Sequence, residues 1–557
     1  MKRDIAQLSG KVYDVLIIGG GIYGAWAAWD AALRGLSVAL VDKGDFGSAT
    51  SSNTMKIIHG GLRYLQQADF RRMRESIRER TILMEVAPYL VHPIPFLMPT
   101  YGHFMKSKEI MSLALMINGI IGFDRNRLND PQKYIPRGLV ISKSECIRLF
   151  PGVSQKGLTG GAIWYDCQVY NSERMILSIL RSAEKAGVAL ANYVEATGFL
   201  KDGNCVKGVK ARDVLTNDEI DVRAKVVVNT SGPWVNDVLQ LLNDNYKNPG
   251  ILLSKAMNIV VNRQLIPKYA VGVSSPFKLK KGGSVVNKGF RLLFITPWRE
   301  YSLIGTTYIP FNNNPNNLTI TEVDIQDFID EANKAYPAAS LKREDISFVH
   351  GGLLPMDSSS GGEVRLTKKY QIWDHAKFGG IEGLISVVGV KYTTARAVIE
   401  KAIDLVFKKL GKKTPRCLTH VSRIHGGHIE RFNDFLAQET RKRERGLDTE
   451  VIRHLVYNYG SEYPRVFKYI DNNSNWRQTL DRSSQVIKAE VVYGIREEMA
   501  QKLADVVFRR TELGSAGNPG EIALKTCAAI MAKELDWDES RIQSEIKEVK
   551  AVFSSGA

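Results

Sequence analysis

Residues 50–65 read TSSNTMKIIHGGLRYL, and their hydroxyls, histidine, paired glycines and arginine–tyrosine step suit neither a regular helix nor a regular strand. Side chains of this kind hold an extended, oxygen-rich group. Ser51 and Ser52 can meet phosphate or polyol oxygens, and Gly60 and Gly61 let a main chain lie flat against a ring. What they hold depends on the segment just before them.

That segment is YDVLIIGGGIYGAWAAWDAALRGLSVALVDK, residues 13–43. A buried-type strand, VLII, runs into GGGIYG, so Gly19, Gly21 and Gly24 satisfy GxGxxG at a strand-to-helix turn. Gly19 permits the tight turn, Gly21 lets backbone approach a pyrophosphate, and Gly24 lets helix and strand pack closely. Gly20, Ile22 and Lys43 are counted with this cofactor site. The helix stops at Gly35, and a second strand, SVALVD, ends in Asp42, placed to accept hydrogen bonds from an adenosine ribose. An acid there argues against a ribose 2′-phosphate and leaves FAD or NAD. A simple NAD enzyme would continue into another α/β unit. The long small-residue stretch after Asp42 instead suits a cofactor with a ribityl chain and an isoalloxazine ring, so FAD is expected.

The rest of the chain sets bounds. Its 557 residues, 44% hydrophobic, suffice for two to four domains with a sizeable core. Five cysteines, Cys146, Cys167, Cys205, Cys417 and Cys527, lie far apart without metal-ligand spacing, implying buried free thiols, a cytoplasmic location and no zinc. His420, His425 and His428 in the basic linker near residue 413 lack metal-pair spacing too. The start MKRDIAQLSGKVYD has no apolar core of a secretory signal. The longest apolar run, IMSLALMINGIIGF (110–123), is too short to span a bilayer. Flanked by Lys106, Lys108, Arg125 and Arg127, it reads as an interfacial helix or as an internal helix of a substrate domain. RRMRESIRERTILM (71–84) reads as a solvated helix face. The net charge of +17 favours an anionic partner, and without a nucleic-acid motif that means anionic lipid or a phosphorylated metabolite rather than DNA or RNA.

The run GGGIYGAWAAWDAALRGLSVALVDKGDFGSATSSNTMKIIHGGLRYLQQ resembles the opening of the FAD-dependent glycerol-3-phosphate dehydrogenases, relatives of the alpha-glycerophosphate oxidases and of D-amino-acid and glycine oxidases. The resemblance continues in AKVVVNTSGPWVNDV (224–238), RLLFITPWREYSLIGTTY (291–308), GLISVVGVKYTTARAVIEKAID (383–404) and VVYGIREEMAQKLADVVFRRTELG (491–514). It implies an α/β fold: a Rossmann-like FAD domain from segments 10–90, 150–240 and 375–412, an antiparallel substrate domain from 91–149 and 241–374, and a helical C-terminal domain over 413–557. The implied reaction oxidises a secondary alcohol, glycerol 3-phosphate or a related polyol phosphate, to the ketone. His59, Arg63, Tyr64 and Lys391 stand at its catalytic positions: His59 could take or relay a proton, Arg63 and Tyr64 orient substrate, and Lys391 hold the flavin or a substrate oxygen. Leu62, Val194, Gly389 and Thr393 join the cofactor-lining set.

The family pattern also breaks. GGLLPM puts Leu354, and LTKKY puts Lys368, where the resemblance leads one to expect arginines, and Tyr308 follows GTT where aspartate is usual. Losing a guanidinium fork removes two charge-assisted hydrogen bonds. Arg365 beside Lys368 and Lys369 could bind an anion instead. These departures keep open an alternative substrate, another alcohol or an amine, and a flavin-binding protein without turnover. The partners expected are a small-molecule substrate, a quinone or another electron acceptor, an anionic membrane surface on the cytoplasmic side, and a second copy in a homodimer.

Overall fold

The computed structural model describes residues 1–102, 107–242, 246, 250–281, 284–360 and 363–554. The strand Tyr13–Ile18 is buried at every position, as a strand covered on both faces must be. Val38–Val41 and Glu219–Asn229 flank it in parallel, and Ala189–Ala191 and Leu384–Val388 extend the sheet outward. The glycine-motif helix, Ile22–Leu33, packs between helices Ser172–Lys185 and Ala395–Lys409, burying Trp26, Trp29, Ile176 and Val398 in the main core.

A second, largely antiparallel sheet runs in the order 363–366, 346–360, 252–261, 301–311, 284–298, 270–281, 91–101, 158–169 and 57–58, with 139–142 alongside 158–169. Two stretches pair outside the sheet that their expected segments implied. Leu158–Val169, inside 150–240, lies along Val91–Tyr101 from Val91↔Val169 to Tyr101↔Leu158, a register long enough to fix it there. Gln371–Asp374, inside 241–374, closes the edge of the parallel sheet against Leu384–Val388.

Side chains alternate across a strand, so the register sorts the second sheet into two faces. Met257 and Ile259 pack with Ile325, Phe328 and Ile329 of helix Glu322–Ala335. The opposite face carries the aligned rows Asn258/Gly305/His350, Ala256/Tyr308/Gly352 and Ser254/Pro310/Leu354. His350 Nδ1 lies 3.2 Å from Asn53 Oδ1, so this face looks onto residues 50–65.

Residues beyond Phe432 are helical, and Phe432, Ile452 and Val492 share one core cluster with Val15 and Trp26. The three linker histidines form no metal-binding group, and none exists among the described residues. The cysteines are unpaired; four are buried and Cys205 is partly so. The helix Phe70–Val86 is more deeply set than its charges implied: Glu79 pairs with Arg396 and Arg80 with Asp166, all buried. Those distant partners neutralise charges that would otherwise require solvent.

Candidate active site

The nucleotide end is built by backbone. Gly19 has φ +98°, and a Cβ there would stand 2.8 Å from the Thr230 carbonyl oxygen. A Cβ on Gly24 would lie 1.8 Å from the Gly19 carbonyl oxygen, so helix and strand meet only through glycine. Gly21 caps the helix without a side-chain hydrogen bond, and Ile22 N–H donates to Ser51 Oγ at 3.1 Å. The next first-turn amides have no intrahelical acceptor and point, with the positive end of the helix dipole, into the space that a pyrophosphate would take. Asp42 accepts Gly20 N–H at 2.6 Å and Gly44 N–H at 2.9 Å. Burial lifts its carboxyl to about 6, which leaves it ionised at neutral pH and able to accept from ribose hydroxyls. An anion cradle lined by glycine, followed by a buried acid, fits FAD.

The remaining members of the cofactor set fall around this cradle. Lys43 Nζ sits 4.3 Å over the Trp234 ring and donates to Asn316 Oδ1 at 2.8 Å. Ser52 differs from expectation: its Oγ donates to the Gly47 carbonyl at 2.8 Å and shapes the loop. Val194 N–H donates to the Asp42 carbonyl at 2.7 Å, a backbone contribution no side-chain pattern announces. Gly389 accommodates the Tyr23 ring, which a Cβ would approach to 2.1 Å, and Thr393 is buried in the turn that follows.

The catalytic candidates converge a short distance away. The His59 and Tyr64 rings meet edge to face at 6.0 Å, and Lys391 Nζ lies 4.2 Å from the Tyr64 ring centroid, with the Arg72 guanidinium 4.9 Å from it. Gly61 has φ +80°, and a Cβ there would come 2.6 Å from Tyr64. Gly60 N–H donates to Asp166 Oδ1, which also accepts from Arg80, while Trp164 Nε1–H donates to Oδ2 at 3.1 Å. Leu62 is half-buried in the adjoining turn, Leu62–Gln67. Burial, helped by the charges of Lys391, Arg63 and Arg80, holds His59 down at about 4 against the pull of Asp166, so its imidazole is neutral at pH 7. Burial and the charges of Arg72 and Arg63 lower Lys391 to about 8.

Tyr308 closes the cluster from the sheet, its hydroxyl pKa raised by burial and lowered by Thr306, Arg63 and Arg291. Leu354 lies half-buried on the same face, two strands away. Arg365 and Lys368 are exposed, and the Lys368 carbonyl accepts from Arg72 at 3.0 Å. Exposed Arg63 acts on His59, Lys391 and Tyr308 together. The structure thus gathers His59, Arg63, Tyr64, Lys391 and Tyr308, with the Lys368 main chain joined through Arg72, while Arg365 is exposed on the edge strand Glu363–Leu366. Tyr23, Arg72 and Asp166 support the cluster without having been singled out in the sequence. Only Tyr23 carried a signal, its place inside GIYG.

The fold and this site define an FAD-dependent oxidoreductase. Residues 14–389 match the family described as FAD dependent oxidoreductase, and residues 417–542 match the C-terminal domain of alpha-glycerophosphate oxidase. Glycerol-3-phosphate dehydrogenase of Synechocystis sp. is 31% identical over 553 residues, covering 98% of this chain and 97% of the relative. Aerobic glycerol-3-phosphate dehydrogenase of Staphylococcus aureus is 30% identical, covering 98% and 95%. The crystal structure of glycerol-3-phosphate dehydrogenase from Bacillus halodurans complexed with FAD superimposes with a TM-score of 0.76 at 26% identity, covering 99% of this chain and 96% of that one. The chain belongs to the FAD-dependent glycerol-3-phosphate dehydrogenase family.

Proposed function

We propose that this chain oxidises the C2 hydroxyl of glycerol 3-phosphate to the ketone and passes the electrons to a membrane quinone. The observation that carries the reading is the grouping of a neutral imidazole, His59, with Arg63 and Lys391 around Tyr64. The unprotonated ring nitrogen of His59 takes the hydroxyl proton as the carbonyl forms. Bound FAD supplies the acceptor for the hydride leaving C2. Tyr64 fixes the ring edge against which the substrate carbon chain lies, and Tyr308 walls off the opposite side. Arg63 and Lys391 hold the phosphate and the reacting oxygen, work that an arginine at position 354 would share in the family pattern. Arg365 and Lys368 add positive charge at the mouth and draw in a dianion.

The acceptor side rests on the helix Lys108–Ile121. Leu115 is its buried residue, whereas Leu113, Met116, Ile120 and the adjoining Phe123 are 51%, 57%, 67% and 78% exposed. Lys108, Arg125 and Arg127 flank this face, which suits shallow insertion at an anionic bilayer; Lys106 lies outside the described residues. No helix among the described residues is long and apolar enough to cross a membrane. The exposed apolar row and its basic flanks support peripheral attachment to a membrane, on the cytoplasmic face in this reading.

The test is anaerobic mixing of the holoprotein with glycerol 3-phosphate while flavin absorbance is followed. Rapid bleaching is expected. Flavin that stays oxidised with this substrate, yet bleaches with dithionite, would refute the assignment and move the search to other alcohols and amines.

A further inference from the structure

The segment between Asp42 and Ser52 carries much of the nucleotide site, yet it is an irregular loop that a helix or strand does not hold. Its internal bonds are all short-range: Gly44 N–H to Asp42 Oδ1 at 2.9 Å, Ser48 N–H to the Asp45 carbonyl at 3.1 Å, and Ser52 Oγ to the Gly47 and Ala49 carbonyls at 2.8 and 3.2 Å. Phe46 is buried in the main core, Thr50 Oγ1 donates to the Leu353 carbonyl at 2.9 Å, and a charged anchor comes from the other end of the chain. Asp45, fully buried, accepts both Arg510 guanidinium branches, Nη1 to Oδ2 at 2.6 Å and Nη2 to Oδ1 at 2.7 Å, and Arg509 Nε–H also donates to Oδ2.

The two arginines occupy a π-helical turn, Val506–Arg510, of the C-terminal domain. They are themselves fixed. Arg510 Nε–H donates to the Glu498 carbonyl at 2.9 Å, and Arg509 Nη2–H donates to Asp505 Oδ1 at 2.7 Å. Asp505 Oδ1 also accepts from Tyr193 Oη–H at 2.6 Å, and Asn192 Nδ2 bridges Asp45 and the Met499 carbonyl. Tyr193 and Val194 return to the loop, donating from their amides to the carbonyls of Gly44 and Asp42.

We propose that Arg509 and Arg510 are positioning residues for the cofactor: through Asp45 the C-terminal helical domain holds the 42–52 loop in its FAD-binding shape and so sets how tightly FAD is retained. A planar fork on a buried carboxylate fixes orientation as well as distance, which a lysine ammonium does not. Ser51, whose Oγ accepts the first amide of the nucleotide-binding helix, is six residues from Asp45 and Asp42 is three, so a shift of the carboxylate displaces both.

The test uses the full-length holoprotein and reads FAD release by flavin fluorescence, alongside melting of FAD-stripped protein. Arg510→Lys and Asp45→Asn are compared with Glu490→Gln, which breaks a buried pair with His454 in the same domain without touching the loop. Arg510→Lys and Asp45→Asn are expected to weaken FAD affinity about tenfold or more, with Glu490→Gln within about twofold of the parent at comparable apo stability. Unchanged FAD affinity in Arg510→Lys overturns the proposal. So does a loss in Glu490→Gln that matches it at equal apo stability, because the effect would then be general loosening. If Asp45→Asn does not fold, Arg509→Lys replaces it under the same two criteria.

Discussion

The Tyr23 hydroxyl donates to the Lys391 carbonyl oxygen at 2.9 Å across 368 residues of chain and receives the Lys391 amide at 3.4 Å. The first turn of the nucleotide-binding helix is thereby tied to the residue whose ammonium lies over Tyr64. Tyr23→Phe keeps the ring against Gly389 and deletes only these bonds. One hydrogen bond of this kind contributes about 1 kcal/mol, so kcat on glycerol 3-phosphate is expected to fall about fivefold while bound FAD is retained. Steady-state kinetics with flavin content measured on the same sample checks this, and an unchanged kcat would free Lys391 from dependence on Tyr23.

The two shifted groups fix the pH profile of flavin reduction. His59, held at about 4, is a competent proton acceptor above that pH and loses the role as pH falls through it. Lys391, lowered to about 8, is a cation below that pH and loses its charge as pH rises through it. The reductive rate should therefore be flat from about pH 5 to about pH 7.5 and decline beyond. His59→Gln should lower the whole plateau by about a hundredfold or more, and Lys391→Met should abolish the alkaline decline. Stopped-flow reduction across pH tests both. An alkaline limb that survives in Lys391→Met would assign it to another group.

Arg63 is expected to carry the phosphate. Replacing its fork with a point charge in Arg63→Lys removes at least one charge-assisted hydrogen bond, about 1.5–3 kcal/mol, and should raise KM for glycerol 3-phosphate about tenfold or more. Activity on unphosphorylated glycerol should change little, so the ratio of the two kcat/KM values is the diagnostic. Leu354→Ala should leave that ratio near the parent value. If Leu354→Ala alters it more than Arg63→Lys does, the phosphate lies against the sheet.

What could be read before the fold was seen divides along sequence distance. Gly19 and Gly24 were legible because backbone geometry there excludes any side chain, a constraint written in one short motif. That His59, Arg63, Tyr64 and Lys391 stand near one another was legible through a resemblance, not through spacing. Asp166 stayed silent because it acts on Gly60 across 106 residues, and Tyr23, though placed inside GIYG, gave no sign of its bond to Lys391 across 368, since only the folded chain brings those segments near. The same reason hid the clamp on Asp45, where Arg510 is 465 residues away. Glu79 and Arg80 looked like solvated charges because the pattern of one helix cannot show partners supplied by two other segments.

The apolar face at Leu113, Met116 and Ile120 makes the last prediction. A fully buried side chain of this size contributes about 1.5–3 kcal/mol, and each nearby basic residue about 1 kcal/mol at an anionic surface. Changing all three to aspartate removes the apolar contribution and adds repulsion. Because they lie on the solvent side of a helix whose packing uses Leu115, the fold and the reduction of bound flavin by glycerol 3-phosphate should be unaffected. Co-sedimentation with phosphatidylserine-containing vesicles should fall about a hundredfold, and turnover should collapse with quinone held in those vesicles while persisting with a water-soluble dye. Vesicle binding that withstands the triple substitution would place the membrane contact elsewhere on this basic surface. Loss of quinone turnover with binding intact would instead make the helix part of the acceptor's path.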